Sequence, residues 1–463
     1  MTTLTKIERL ITQKNYRLAI NILEAKIEKE PQGHLYYFLC GKCYLNIKNY
    51  QKSFECFQRA VLLNPYGNYD SEIYSVFLNE LAVSGQVETN RPKIALEIFD
   101  ANTVHPRSLY PIADCITMDK INDNFKPDFY LIPNWLSPAH PVTDNLDNCS
   151  CPVVSMIVDR LLYAEEHIKG NLIYSDIIIA MENYAVDIYK KLGFANVLYV
   201  PGAGSIGYDP AAYPRLNFKR IYDVVFLGNT SSPIIYRQRN KILKKLDSLK
   251  EKYNILIKFV TDYEEYWPLM NQAKIVIDAT IDSNALNYRM FQAMGIETLC
   301  FIEDDNPMVT ELYTDKEDLV LYNCENLDSL IEYYLTNTEE STRISRNGYL
   351  KTINNYTHYH FLKKTVETLL KYQPQESQKK TFSPEKILMY KGVVKHYQNK
   401  HQEALNYFLV IPENIESINN ILVQKINLCE RSYEQELEKE IKMTFDNHKN
   451  NPIISFNYIS VLY

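Results

Sequence analysis

Four stretches of the chain carry residue types whose spacing suits an anionic ligand. In FLGNT (226–230) an apolar run ends in Gly228 and Asn229 and leads into SSPIIYRQRNKILKKL, where a helix is expected to open near Pro233. The unpaired backbone amides of such a junction attract an anion. Arg237 and Arg239 fall in the first turns of that helix, where basic side chains oppose the helix dipole. Each is either offset by an anionic ligand or a spare arginine on a solvated face. In DSNALNYRMFQAMG (282–295) a loop after the run KIVIDAT leads into a helix expected to begin near Ala285. Arg289 then lies in its second turn, Gln292 shares its face three residues on, and Gly295 takes the C-cap role. ETLCFIED followed by NPMVTELY is a third junction of the same kind. VTDYEEY (260–266) is the fourth, with backbone groups after a strand that suit a flat base.

Three other motifs imitate chemistry they do not support. GAGSIG (202–207) fits the dinucleotide fingerprint G-x-G-x-x-G. That fingerprint needs a helix opening at its third glycine to hold the pyrophosphate, and Pro210 and Pro214 block one. The stretch reads instead as a glycine-rich connector at which the chain bends. Cys40 and Cys43 of CGKC lie within a helical pattern and read as small core residues. His358 and His360 stand at i and i+2, so a helix turns them to different faces and joint metal ligation is not expected.

These residues need elements to position them. The middle of the chain, about 92–370, alternates apolar runs with helical patterns. KIALEIF, DFYLIP, CPVVSMIVD, SDIIIAMEN and NVLYVPG precede the connector, and YDVVFLGNT, NILIKFVT, KIVIDAT, ETLCFIED and DLVLYN follow it. Nearly continuous apolar strands separated by helices indicate parallel sheets covered on both faces. Two sets of five predict two doubly wound α/β domains, 92–207 and 215–370, with a cleft lined by the carboxyl ends of their strands. Residues 1–90 are repetitive: Asn15-Tyr16 recurs as Asn49-Tyr50 and Pro31 as Pro65, both 34 residues on. That is the tetratricopeptide period. Gly41, Tyr44, Phe57, Ala60 and Pro65 keep the spacing of that repeat. Residues 383–463 resemble it again through Gly392, Ala404 and Phe408, after the polar linker 371–386.

The chain has 463 residues, 46% of them hydrophobic and 23% charged, and a net charge of −7. That balance argues against generic nucleic-acid binding through a basic surface. No apolar run approaches a membrane span, and the N-terminus lacks the apolar core of a signal peptide. Nine irregularly spaced cysteines argue against a disulfide framework, and a reducing cytoplasm fits.

The run from YDVVFLGN to LIEYYLTN, with ADCITMDKINDNFKPDFYLIP, CPVVSMIVD and SDIIIAMENYAVDIYKKLGFANVLYVPGAG before it, resembles the CgeB-like (spore-maturation) glycosyltransferases of the GT-B fold. The resemblance covers about 92–370. It implies an acceptor domain first and a nucleotide-sugar donor domain second, in a transferase of hexosyl type. By resemblance, Gly228 and Asn229 approach the donor phosphates and Arg289 pairs with the diphosphate. Gln292 stands where the family usually places a ribose-binding glutamate. Related retaining enzymes carry two glutamates eight apart across this loop and helix, and here that pair is Asn284 and Gln292, both amides. The departure puts full activity in doubt.

An inverting enzyme needs a base to deprotonate the acceptor. Asp159 at the end of the third expected strand and His105 after the first are the candidates, beside the trio Glu165, Glu166 and His167. Asp159 serves equally as a helix cap. A retaining enzyme needs no such base, and the choice stays open. The acidic run at 303–305 imitates the Asp-x-Asp of the other glycosyltransferase fold, but arginines would supply the cation here, so neither metal nor cofactor is expected. The sequence thus predicts a glycosyltransferase acting on a protein or peptide acceptor gathered by the repeats. The alternative is an interaction scaffold around a degenerate transferase core.

Overall fold

The computed structural model describes residues 3–65, 78–96, 109–117, 125–134, 146, 149–157, 172–201, 207–210, 213–229, 237–280, 286–372, 383–411, 420–421, 423–425, 428 and 434–448. The chain begins with helices α1 (Thr3–Thr12), α2 (Tyr16–Lys29), α3 (His34–Asn46) and α4 (Tyr50–Leu63). Their turns repeat. Lys14 and Lys48 both take φ near +60° (60° and 59°), and the next amides, of Asn15 and Asn49, each close a 2.9 Å bond to the carbonyl five residues back. This is a left-handed helix stop, set by local sequence and so repeated with the period. A glycine brings α3 and α4 together: a Cβ on Gly41 would lie 2.7 Å from the Phe57 ring. Cys40 and Cys43 are buried in α3.

The first sheet holds six parallel strands in the order β2-β1-β3-β4-β5-β6. These are β1 (Lys93–Leu96), β2 (Asp114–Thr117), β3 (Phe129–Asn134), β4 (Val153–Ile157), β5 (Ile177–Ala180) and β6 (Val197–Tyr199), with helix α5 (Asn183–Lys191) between the last two. Five strands were expected. The addition is β2, four residues at the sheet edge, too short to show a pattern. Its open side is covered by Asn79, whose amide exchanges two 2.7 Å bonds with the backbone of Cys115, a common protection for an edge.

The second sheet has five parallel strands in the order β11-β10-β9-β7-β8. They alternate with helices: β7 (Tyr222–Leu227), α6 (Arg237–Ser248), β8 (Ile255–Lys258), α7 (Tyr263–Asn271), β9 (Ala273–Asp278), α8 (Tyr288–Gly295), β10 (Leu299–Glu303), α9 (Pro307–Leu312) and β11 (Val320–Tyr322). Helices α10 (Leu327–Thr336), α11 (Thr338–Asn355) and α12 (His358–Lys371) follow. In both sheets the second strand pairs outside the first and the third turns back beside it. The direction of winding therefore reverses between β1 and β3, and again between β7 and β9. Ligands of open α/β sheets collect at such reversals.

One apolar cluster joins the halves, from Leu96 and Met156 through Val366 and Leu369 to Val225 and Phe291. The Tyr372 hydroxyl, just past α12, donates to Asn196 Oδ1 of the first half at 2.9 Å. Of the connector GAGSIG, Gly207 is described and 202–206 lie outside the described residues. A Cβ on Gly207 would stand 2.9 Å from the backbone of Thr357 and His358. The glycine admits that backbone, which Tyr208 bonds on both sides.

After the linker, α13 (Pro384–Tyr397) and α14 (His401–Leu409) repeat the N-terminal construction. Asn399 takes φ 58°, and Gly392 lies against Phe408, with 2.4 Å from a built Cβ to the ring. Helix α15 (Glu434–His448) is the last described element. No helix among the described residues is long and apolar enough to cross a membrane.

Candidate functional site at the carboxyl ends of β7, β9 and β10

Three strand ends meet at the reversal of the second sheet: Gly228 after β7, Asp278 closing β9 and Glu303 closing β10. Arg289 ties the first two together. Its Nη1 lies 2.7 Å from Asp278 Oδ1, its Nε donates to the Leu227 carbonyl at 2.7 Å, and its guanidinium carbon stands 4.5 Å from the Phe226 ring centroid. The third nitrogen, Nη2, makes no hydrogen bond among the described residues and faces Gly228, where a built Cβ would approach it to 2.5 Å. Any larger residue at 228 would displace the arginine. The guanidinium is thus held by two of its nitrogens, with one edge left beside a strand-end glycine.

Asp278 is fully buried, and its Oδ2 has no hydrogen-bond partner among the described residues. Burial pushes its carboxyl up, against the pull of Arg289 and Arg239. Asn287 Nδ2 also donates to Oδ1, at 3.2 Å. Glu303, 4% exposed, accepts the Thr280 amide at 2.7 Å and the Thr280 hydroxyl at 2.9 Å through Oε2, while Oε1 is buried with no hydrogen-bond partner among the described residues. Burial pushes it up to about 7. Within the run 303–305, Glu303 turns inward whereas exposed Asp304 accepts from Asn323 at 2.7 Å.

The two arginines of α6 have different surroundings. Arg239 is 4% exposed and braces two strand ends, donating to the carbonyls of Ala279 and Asn229, each at 2.9 Å. It is not a spare arginine on a solvated face. Arg237 is exposed and lines a groove of about 550 Å³ with Lys241 and Lys244 on the outer side of α6. The structure therefore separates residues that the sequence places two apart.

Helix α8 begins at Tyr288 and not near Ala285, so Arg289 stands in its first turn. Gly295 is its last residue and does not make the cap. Glu297 takes the left-handed conformation, φ 59°, and the Tyr208 ring lies 2.2 Å from a Cβ built on Gly295. The glycine is there for packing. Gln292 is buried, and its Oε1 accepts the Tyr266 hydroxyl at 2.8 Å. Tyr266, in the VTDYEEY stretch, is pushed up to about 12 by burial and so keeps its proton to donate. Beside it the rings of Tyr263 and Trp267 stack at 9°, with Tyr213 against both.

Asp159, His105, Asn284 and the trio Glu165, Glu166 and His167 lie outside the described residues. Asp278 and the inward turn of Glu303 were not singled out from the sequence. The available signal was an acidic residue ending an apolar strand where neighbouring strands end.

Residues 237–370 match a family described as glycosyl transferase-like, a segment that holds Arg239, Asp278, Arg289 and Glu303. No curated protein matches the chain. Among solved structures, Anabaena HepE in complex with UDP and glucose is similar at 11% identity and a TM-score of 0.41, over 61% of this chain and 100% of that one. Sucrose-phosphate synthase of Thermosynechococcus elongatus is similar at 10% identity and a TM-score of 0.41, over 61% and 98%. A Rickettsia africae glycosyltransferase is similar at 11% identity and a TM-score of 0.38, over 62% and 100%.

Proposed function

We propose that the chain is a GT-B glycosyltransferase of hexosyl type that holds a nucleotide-sugar donor at the reversal of its second sheet. The observation that carries this reading is the Arg289 guanidinium, fixed by buried Asp278 with one edge left at Gly228, inside the segment that matches a glycosyltransferase-like family. Orientation on rigid elements is what recognition of a diphosphate asks of an arginine. As the leaving diphosphate gathers charge, a positioned guanidinium and backbone amides stabilise it without reorganising. In this reading 215–370 is the donor domain and 92–207 the acceptor domain, which would supply the base in an inverting reaction, with Asp159 and His105 as candidates. Asn284 and Gln292 stand where related retaining enzymes carry a pair of glutamates.

The helix pairs 1–90 and 383–463 are assigned as tetratricopeptide-like modules that bind a protein or peptide acceptor. The shared left-handed turns at Lys14, Lys48 and Asn399 and the Gly–Phe contacts support that assignment. A cytoplasmic setting accords with the reading.

The test is calorimetry with UDP, GDP and other nucleoside diphosphates, followed by a hydrolysis screen of nucleotide sugars. Binding of one nucleotide class together with release of its sugar supports the reading. No binding at millimolar concentration removes it. Removal of residues 1–85 should abolish transfer to a protein and leave nucleotide affinity unchanged.

A second reading, an interaction scaffold around a degenerate core, draws on one observation. Gln292 is buried and engaged by Tyr266, so the position that would hold a ribose is occupied internally. Nucleotide binding without donor hydrolysis would favour this scaffold.

A further inference from the structure

The opposite end of the second sheet carries an arginine that forms no ion pair among the described residues, although the charge of Glu297 reaches it. Arg220 stands just before β7 and is half-buried. Its Nη2 donates to the backbone carbonyls of Glu297 at 2.7 Å and Ile296 at 3.5 Å. Its other two nitrogens make no hydrogen bond, and no carboxylate lies within ion-pair distance, among the described residues. A guanidinium withdrawn from water without a counter-charge is costly, which points to a ligand that supplies one.

Arg220 lines a cavity of about 150 Å³ at the amino ends of β9 and β10. Lys274 lines it too, sharing its charge with Asp223 at 2.7 Å. The far wall is one face of α11: Thr338, Ser341, Thr342 and Ser345, spaced so that their hydroxyls align. Ser341, Thr342 and Ser345 donate to backbone carbonyls, and the Thr338 hydroxyl makes no bond among the described residues. Asn337, at the N-cap of this 18-residue helix, makes no side-chain bond to its amides, so the positive end of α11 is uncapped beside the cavity. Of the nearby carboxylates, Glu297 pairs with Arg215 and Arg346 and Glu340 is engaged by Tyr333 and Arg343, while Glu339, also in the first turn of α11, makes no ion pair among the described residues.

We propose that this cavity binds a small phosphate: inorganic phosphate or the phosphate group of a small metabolite. Two cations, a free hydroxyl and an uncapped helix end are the donors such an anion takes, and the volume suits a phosphate with a few further atoms. The site lies a strand's length, roughly 15–20 Å, from Arg289 and does not depend on the donor reading.

The test is calorimetry on the full chain with inorganic phosphate in one arm and a hexose phosphate in the other. Affinity should fall at least tenfold in Arg220→Gln and be lost in Ser345→Phe, which fills the cavity. Tighter binding of the hexose phosphate than of phosphate would identify a metabolite as the natural ligand. The reverse would identify the free ion. Should Arg220→Gln fail to fold, Lys274→Gln with Ser345→Phe decides. No heat with either ligand, or affinity unaltered in the cavity variants, overturns the proposal.

Discussion

Among the described residues, each sheet carries a buried arginine–aspartate pair, and the two pairs are built differently. In the first half, Arg91 and Asp114 are 6% and 3% exposed in their side chains. Every atom of the carboxylate is engaged: Arg91 Nε and Nη2 donate to Oδ1, and the Thr89 hydroxyl donates to Oδ2. Arg91 Nη1 donates to the Tyr110 carbonyl, and its guanidinium lies 4.9 Å from the Phe54 ring centroid. This pair sits at the amino end of β2 and staples helix α4 to the sheet. In the second half, Arg289 and Asp278 are 10% and 0% exposed, but Asp278 Oδ2 and Arg289 Nη2 have no hydrogen-bond partner among the described residues. They sit at the carboxyl end of β9, at the reversal of strand order. A complete network gives rigidity and has nothing to offer a ligand, whereas an incomplete one keeps binding capacity at a cost in stability. The difference is what supports the proposal of a donor site in the second half.

The largest expected effect comes from breaking the complete pair. Asp114→Ala should leave Arg91 buried without its counter-charge and lower stability by about 3–5 kcal/mol in urea unfolding, with nucleotide affinity of the folded fraction unchanged. A loss below about 1 kcal/mol would show that water reaches the pair and would dissolve the contrast. Arg289→Lys should do the opposite. It keeps the charge opposite Asp278 but loses the planar edge, so nucleoside diphosphate affinity should drop tenfold to a hundredfold, about 1.5–3 kcal/mol, with little change in unfolding. Unaltered affinity would place the donor elsewhere.

Glu303 gives a pH test of the same corner. Burial pushes its folded carboxyl up to about 7 from an ordinary value of 4.5, so the folded protein binds more protons than the unfolded chain between those values. Its contribution is therefore fully present below pH 4.5 and is lost as pH rises through about 7. Glu303→Gln should flatten that part of the stability profile, an effect on the order of 2 kcal/mol. Identical profiles for the two proteins between pH 5 and 7.5 would mean that Glu303 is hydrated and charged throughout. The smallest effect is expected at Tyr266→Phe, which removes the donor to Gln292 and should cost about 1 kcal/mol. If nucleotide affinity rises as well, Gln292 is withheld from the ligand in the native protein, as the scaffold reading holds.

Much of the frame was legible residue by residue. Strands such as KIVID and TLCFIE announce themselves because burial on both faces demands a continuous apolar run, whereas β2, with only Cys-Ile-Thr beyond its aspartate, is too short to do so. Gly228 and Arg289 were readable as residue types at strand and helix ends. Their contact across 61 residues was not. Gln292 looked like a group facing the cleft because helix periodicity puts it beside Arg289, but periodicity does not say where the core surface lies, and Tyr266 takes its amide from another helix.

By itself the sequence determined what depends on near neighbours: the left-handed stops at Lys14, Lys48 and Asn399, the 34-residue offset, the strand–helix alternation and the glycines that admit Phe57 and Phe408. Only the tertiary structure decided the fate of the charges. Two arginines of α6, two residues apart, ended with one exposed and one buried, two aspartates found arginines at opposite ends of their sheets, and Arg220 found no ion pair among the described residues. The interaction of a charge depends on the dielectric around it and on partners brought from distant parts of the chain, and neither quantity is encoded in the residues beside it.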